Sequence, residues 1–188
     1  MMPKKKIAVA VTGASGAIYA RLLLNELSRI KENIDSCRVV FSENAIDVWK
    51  YELETDPKDS IIFPIYSDKD FYAPIASGSS GFDAMVVCPC SMGTLGRIAN
   101  GISDSLITRA ADVMLKERKT LILVTRETPL NLIHIKNMET ISSAGAIICP
   151  AMPSFYSKPA TIEELVMTVV NRILSLLELP NSTKAWGE

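Results

Sequence analysis

Short apolar runs alternate with longer segments of helical period along this chain. The runs at 7–11, 37–41, 84–88, 120–124 and 146–149 have the length and composition of strands buried on both faces. A sixth strand is expected at 61–64. Between the runs, apolar residues recur at helical spacing and predict helices over 17–31, 44–53, 93–99, 104–116, 131–144 and 162–177. Thr161, with Glu164 three residues later, predicts a capping box opening the last helix. Such alternation predicts an α/β fold, a doubly wound three-layer sandwich around a mostly parallel sheet. No repeat, low-complexity run or linker interrupts it, so one domain over 1–188 is expected.

The segment 44–53 is apolar nearly all round, through Ala45, Ile46, Val48, Trp49, Tyr51 and Leu53. A helix of that kind needs cover on more than one side. A subunit interface is the favoured explanation, with a fully covered core helix as the alternative.

The first strand runs directly into Thr12-Gly13-Ala14-Ser15-Gly16-Ala17. A strand that turns through glycine and serine into a helix offers backbone N–H groups and a helix dipole to an anion. Gly13 and Gly16 suit a tight turn and a close ligand approach. Ser15 suits a helix cap or a phosphate contact. The spacing lacks the third glycine of the dinucleotide fingerprint. Other polar segments also follow strands: Ser42 and Glu43, then 89–94, 126–129 and 150–156. In an open parallel sheet all of these gather with Gly13 along the carboxyl rim, where ligands bind.

Composition narrows the partners. A net charge of -1 over 188 residues argues against nucleic acid. No apolar stretch reaches the length of a membrane span, and Lys4-Lys5-Lys6 reads as a solvated strand start, not a signal peptide. Cys37, Cys88, Cys90 and Cys149 form no C-x-x-C pair, and buried thiols in a reducing cytoplasm are expected.

The candidate chemistry is restricted. Gly-Ala-Ser-Gly is not a nucleophile elbow, and His134, the one histidine, falls inside a helix, which leaves a serine triad without a well-placed base. No metal-ligand motif occurs. Phosphate chemistry would then rest on Arg109, Lys116, Arg126 and Arg172, while Arg118 and Lys119 read as a solvated helix end. Glu43 also stands where a dinucleotide fold places its ribose-binding acid, so a nicotinamide-dependent dehydrogenase is a rival.

Several segments together resemble the flavin prenyltransferase (UbiX) family over almost the whole chain. They are Thr-Gly-Ala-Ser-Gly-Ala (12–17), Ala-Ser-Gly-Ser (76–79), Cys-Pro-Cys-Ser (88–91), Arg-Ala-Ala-Asp-Val (109–113) and Leu-Lys-Glu-Arg-Lys (115–119). Arg-Glu-Thr-Pro-Leu (126–130), Pro-Ser-Phe-Tyr (153–156) and the terminal Trp-Gly-Glu (186–188) complete the set. The resemblance implies a Rossmann-like or flavodoxin-like flavoprotein, with a C-terminal helix and tail from about 161 completing the site and interface. It implies a metal-independent enzyme that joins a dimethylallyl group from dimethylallyl monophosphate to N5 and then C6 of reduced FMN. The product, prenylated FMN, would serve a UbiD-type decarboxylase of ubiquinone biosynthesis or aromatic acid breakdown. A homododecamer built of trimers is implied as well.

By the same resemblance, Gly13, Ala14, Ser15, Ser42, Ser91, Met92, Gly93, Thr94 and Arg126 bind the flavin. Lys116, Tyr156, Arg172 and Arg109 hold the prenyl phosphate, some of them from neighbouring subunits. Glu127 is the acid that helps phosphate leave, Glu52 assists proton handling near the phosphate, and Ser15 relays a proton from N5. Each residue also has a plainer reading: Ser15 as a helix cap, Glu52 and Arg172 as exposed helix residues, Tyr156 as a packing aromatic. Phe71 stands where the family often has tryptophan, which weakens an aromatic wall. Two alternatives share the general fold: an FMN-dependent decarboxylase of the cysteinyl-peptide or pantothenoylcysteine type, and a non-catalytic FMN carrier.

Overall fold

The computed structural model describes residues 4–182. Its strands are β1 (Lys5–Val11), β2 (Ile34–Phe41), β3 (Ile65–Ser67), β4 (Ala84–Cys90), β5 (Thr120–Thr125) and β6 (Ile147–Ile148). Its helices are α1 (Ala17–Arg29), α2 (Glu43–Leu53), α3 (Pro57–Ser60), α4 (Met92–Ala99), α5 (Leu106–Lys116), α6 (Leu132–Ser143) and α7 (Ile162–Leu176). The strands form one sheet in the order β3-β2-β1-β4-β5-β6, and every neighbouring pair is parallel. The order reverses between β1 and β4, which sets a crevice beyond their carboxyl ends.

Side-chain alternation divides the core into two layers. Ile7, Val9 and Val11 of β1 face α1, α2 and α7 with Val86 and Ile122. Ala8 and Ala10 face α4 and α5 with Met85, Leu121 and Leu123. Trp49 of α2 is fully buried, meets Phe41 edge-on at 5.5 Å, and donates its indole N–H to Thr55 at 3.3 Å.

Three expectations need correction. The sixth strand lies at Ile65–Ser67, not 61–64, because Asp56 caps a short helix opened by Pro57, and Pro64 has no N–H for the ladder. The register with β2 starts at Val39 opposite Ile65. The capping box at Thr161 is half formed: its hydroxyl accepts the Glu164 N–H at 3.1 Å, but the Glu164 carboxylate takes the N–H of Ala160. Helix α2 is not a covered core helix. It buries Ala45 and Trp49 and leaves Tyr51 89% exposed.

All four cysteines are free and buried. Burial pushes the Cys37 and Cys90 thiols up to about 12 and raises Cys88 and Cys149 as well. A disulfide-exchange reagent at pH 8 is therefore expected to titrate the native thiols slowly and all four rapidly in denaturant. Trp49→Ala should cost about 3–5 kcal/mol in urea unfolding followed by circular dichroism, because it leaves a large cavity.

Candidate active site

The carboxyl rim is built around Thr12, which is buried at the end of β1. Its hydroxyl donates to the Pro89 carbonyl at 2.7 Å and accepts the Ser91 N–H at 2.9 Å. The Thr12 N–H adds a bond to the same Pro89 carbonyl at 3.3 Å. These bonds clamp the ends of β1 and β4 at the point where the strand order reverses. The turn that follows passes close under α2. A Cβ on Gly13 would stand 2.7 Å from the Asn44 Cβ, so no larger residue fits there without displacement.

Beside this clamp lies a cavity of about 550 Å³, a volume in the range of small-ligand sites. Its lining comes from Gly13, Ser42, Ser91, Gly93 and Thr94, all expected, and from the segments after β3 and before α5. Ser42 caps α2 by accepting the Ala45 N–H at 3.2 Å, and Ser91 caps α4 by accepting that of Thr94 at 3.3 Å. The first-turn N–H groups of these two helices have no helical carbonyl within reach, and the dipoles favour an anion. Met92 is buried under the same turn.

Asp68, Lys69, Arg97 and Asp104 also line the cavity, and none of them was anticipated. The available signal was the rule that residues just after each strand line the rim. It failed for Asp68 and Lys69 because β3 was expected four residues too early. Lys69 pairs with Glu43 across the mouth, and the side chains of both are exposed. That engagement leaves Glu43 an ion-pair partner at the rim. Burial raises the Asp68 carboxyl above its ordinary range, opposed by the Ile107 N–H and the Ser105 hydroxyl.

The α1 turn departs from expectation. Its N-cap is Gly16, at φ 110°, and no side chain caps it, so Ser15 is not the helix cap. Glu52 fills that place instead. Its carboxylate accepts the Gly16 N–H at 2.9 and 3.1 Å and the Ala17 N–H at 2.7 Å. The first N–H groups of α1, expected to be open to a phosphate, are thus already bonded. Ser15 itself is exposed on the rim, and Ala14 is half-buried.

On the other side of the clamp stand residues from β5, β6 and α7. The Arg126 N–H bonds the Cys90 carbonyl at 3.2 Å, and its guanidinium opposes the rise that burial and Cys88 impose on the Tyr19 phenol. The Tyr19 hydroxyl reaches the Ala151 carbonyl at 3.4 Å. Arg172 is exposed and close enough to Cys149 to oppose the burial-driven rise of that thiol. Glu127 is exposed and accepts the N–H of Thr128, and Tyr156 is exposed nearby in sequence to Ala151.

Two expected phosphate ligands are not on this rim. Lys116 ends α5, just before β5, whose first residue Thr120 pairs with Ala84 at the start of β4. It therefore sits at the amino edge of the sheet, roughly 20 Å from the carboxyl edge by strand rise. There it pairs with Glu117. Arg109 is held against the 76–79 loop, through Nε to the Ala76 carbonyl at 3.2 Å and an ion pair with Asp112 at 3.1 Å. His134 closes the α6 capping box with Asn131. The terminal Trp-Gly-Glu motif lies outside the described residues. Among those residues, no cluster of metal-ligating side chains forms and no helix is long and apolar enough to cross a membrane.

A parallel sheet in this order, with a cavity between capped helix ends at its reversal, is the framework of a mononucleotide-binding protein. The family described as Flavoprotein matches residues 1–174. The flavin prenyltransferase UbiX of Methanocaldococcus jannaschii is 45% identical over 185 residues, 97% of this chain and 98% of that protein. A crystal structure of AnUbiX (PadA1) in complex with FMN and dimethylallyl pyrophosphate superposes with a TM-score of 0.90. The two are 41% identical, over 98% of this chain and 100% of the other. A dodecameric FMN-dependent UbiX-like decarboxylase from Escherichia coli O157:H7 gives 0.91 at 39% identity, over 97% and 100%. This chain belongs to the flavin prenyltransferase UbiX family.

Glu52→Ala should lower stability by about 1–2 kcal/mol through loss of the α1 cap, read by urea unfolding, with Glu52→Gln retaining part of it. Thr12→Val should cost about 1–3 kcal/mol, because the Pro89 carbonyl and the Ser91 N–H lose a buried partner.

Proposed function

We propose that this chain transfers a dimethylallyl group from dimethylallyl monophosphate to reduced FMN, at N5 and then C6, without a metal. The supporting observation is the division of the rim by the Thr12 clamp. Two serine-capped helix ends line a cavity beside it; Arg126 reaches Tyr19 and Arg172 reaches Cys149, while Glu127 and Tyr156 are exposed in the segments after β5 and β6. A mononucleotide fits this arrangement with its phosphate toward Ser42, Ser91, Gly93 and Thr94, over Met92, and its ring along Gly13, Ala14, Ser15 and Arg126. Bound reduced FMN supplies the electron-rich centres that accept the allyl group.

The chain's own residues manage charge. Cleavage of the allylic C–O bond puts positive character on carbon and negative charge on phosphate. Arg172 and the Tyr156 hydroxyl stabilise the departing phosphate, and Glu127 delivers a proton to it. Ser15, exposed beside the ring, relays a proton. Glu52 reaches the same turn through Gly16 and Ala17 and handles protons only on releasing them. Phe71, about half exposed, contributes an aromatic face.

Lys116 and Arg109 join this site from a neighbouring copy, since their own chain holds them away from its rim. Exposed Tyr51, Tyr72, Leu132, Ile133 and Phe155 suit the subunit contacts this requires, in a dodecamer of trimers. Each copy acts as one flavoprotein domain over 1–188, with the C-terminal helix and tail at the interface. Four buried free thiols favour a cytoplasmic location, and the prenylated FMN passes to a UbiD-type decarboxylase.

Anaerobic incubation with reduced FMN and dimethylallyl monophosphate, with the diphosphate in parallel, tests the reading by mass spectrometry of the extracted flavin. A flavin heavier by one five-carbon unit is expected with the monophosphate. Unmodified flavin from protein that binds FMN would reject the transfer and favour a carrier or a decarboxylase, the activity in the name of the Escherichia coli relative. Glu127→Gln should slow product formation by about 10²-fold or more while FMN affinity holds. Sedimentation of the active enzyme as a monomer would reject the shared site.

A further inference from the structure

Three helix N-termini open onto the cavity, and they are not equivalent. Those of α2 and α4 carry neutral caps, Ser42 and Ser91. That of α5 is closed by an acid from the loop after β3. The Leu106 N–H donates to the main-chain carbonyl of Asp68 at 2.7 Å, and the Ile107 N–H donates to Asp68 Oδ1 at 2.8 Å. The Ser105–Thr108 capping box takes up the next groups of that turn. Asp104 lies in the same wall, 3.6 Å from Arg97. Among the described residues no cation stands within ion-pair distance of Asp68. Glu43 opens α2 but is held by Lys69, and Arg97 of α4 faces Asp104, so among the described residues Asp68 is the carboxylate of this lining without an ion pair, in the place an anion would take at α5.

Such a wall has a consequence for ligand choice. A ligand with one terminal phosphate places it between α2 and α4 and meets the Asp68 side with neutral groups. A ligand whose phosphate is extended into a diphosphate must bring further negative charge toward the Asp68 carboxylate, which no ion pair offsets. We propose that Asp68 is a specificity-determining residue that restricts this cavity to flavin mononucleotide and rejects flavin adenine dinucleotide. The inference rests on the reading of the cavity as the FMN phosphate site.

The test compares FMN and FAD dissociation constants, by quenching of flavin fluorescence, for the full chain and for Asp68→Asn. Asparagine keeps an oxygen for the Ile107 N–H and removes only the charge. Asp68→Ser serves as a second uncharged variant, and thermal melts establish that each is folded. The unaltered protein is expected to prefer FMN. In both variants the preference should narrow by about tenfold, through tighter FAD binding, with FMN affinity changed by less than about threefold. An unchanged preference in folded variants overturns the proposal, as does a narrowing that comes from weaker FMN binding with FAD affinity unchanged. Equal binding of both flavins by the unaltered protein also overturns it, while leaving the FMN reading intact. Failure of the unaltered protein to bind FMN rejects the cavity reading itself.

Discussion

The hydroxyl of Thr12 carries the constraint on which the site depends. A parallel sheet brings the ends of its strands to one rim, but the gap at the reversal between β1 and β4 is open unless something spans it. One buried hydroxyl does so by donating to Pro89 and accepting from Ser91. It thereby fixes the start of α4 relative to the Gly13 turn. Gly13 and Ser91, both held by this clamp, line the cavity beside it. Both bonds are made in a buried setting, where an unpaired partner would be costly.

Around the clamp, acidic residues fill two helix N-termini, and serines cap two others. Glu52 occupies the N-terminus of α1 and Asp68 that of α5, each through two backbone groups. The ends of α2 and α4 keep serine caps that each satisfy one N–H, and Glu43 in the first turn of α2 is paired with Lys69. The first helix after β1 is the usual phosphate site of such folds. Here the Glu52 carboxylate already complements its dipole.

The position of Lys116 divides the cations of one copy between two edges of the sheet. It belongs to the amino edge of the sheet because α5 returns across the face before β5 begins. Lys116 thus lies on a different edge of the sheet from Arg126 and Arg172. In the shared site proposed above, association of copies brings the two edges together, and the apolar side chains left exposed on α2 and α6 suit such association.

Much of this was legible in the chain itself. The apolar runs and their helical intervals determine a doubly wound parallel sheet, because only strands covered on both faces read as continuous apolar segments. The Gly13 turn and the serines after β2 and β4 are readable for the same local reason, since caps and tight turns depend on neighbours in sequence. The position of β3 was misread because a capped short helix and Pro64 decide where pairing starts, and with it Asp68 and Lys69 were missed. Glu52 as the cap of α1 and Asp68 as the plug of α5 come from contacts across 35 and 39 positions, which no local pattern encodes. Which edge of the sheet each cation reaches was likewise decided by tertiary structure, because it depends on the direction in which every helix crosses the sheet.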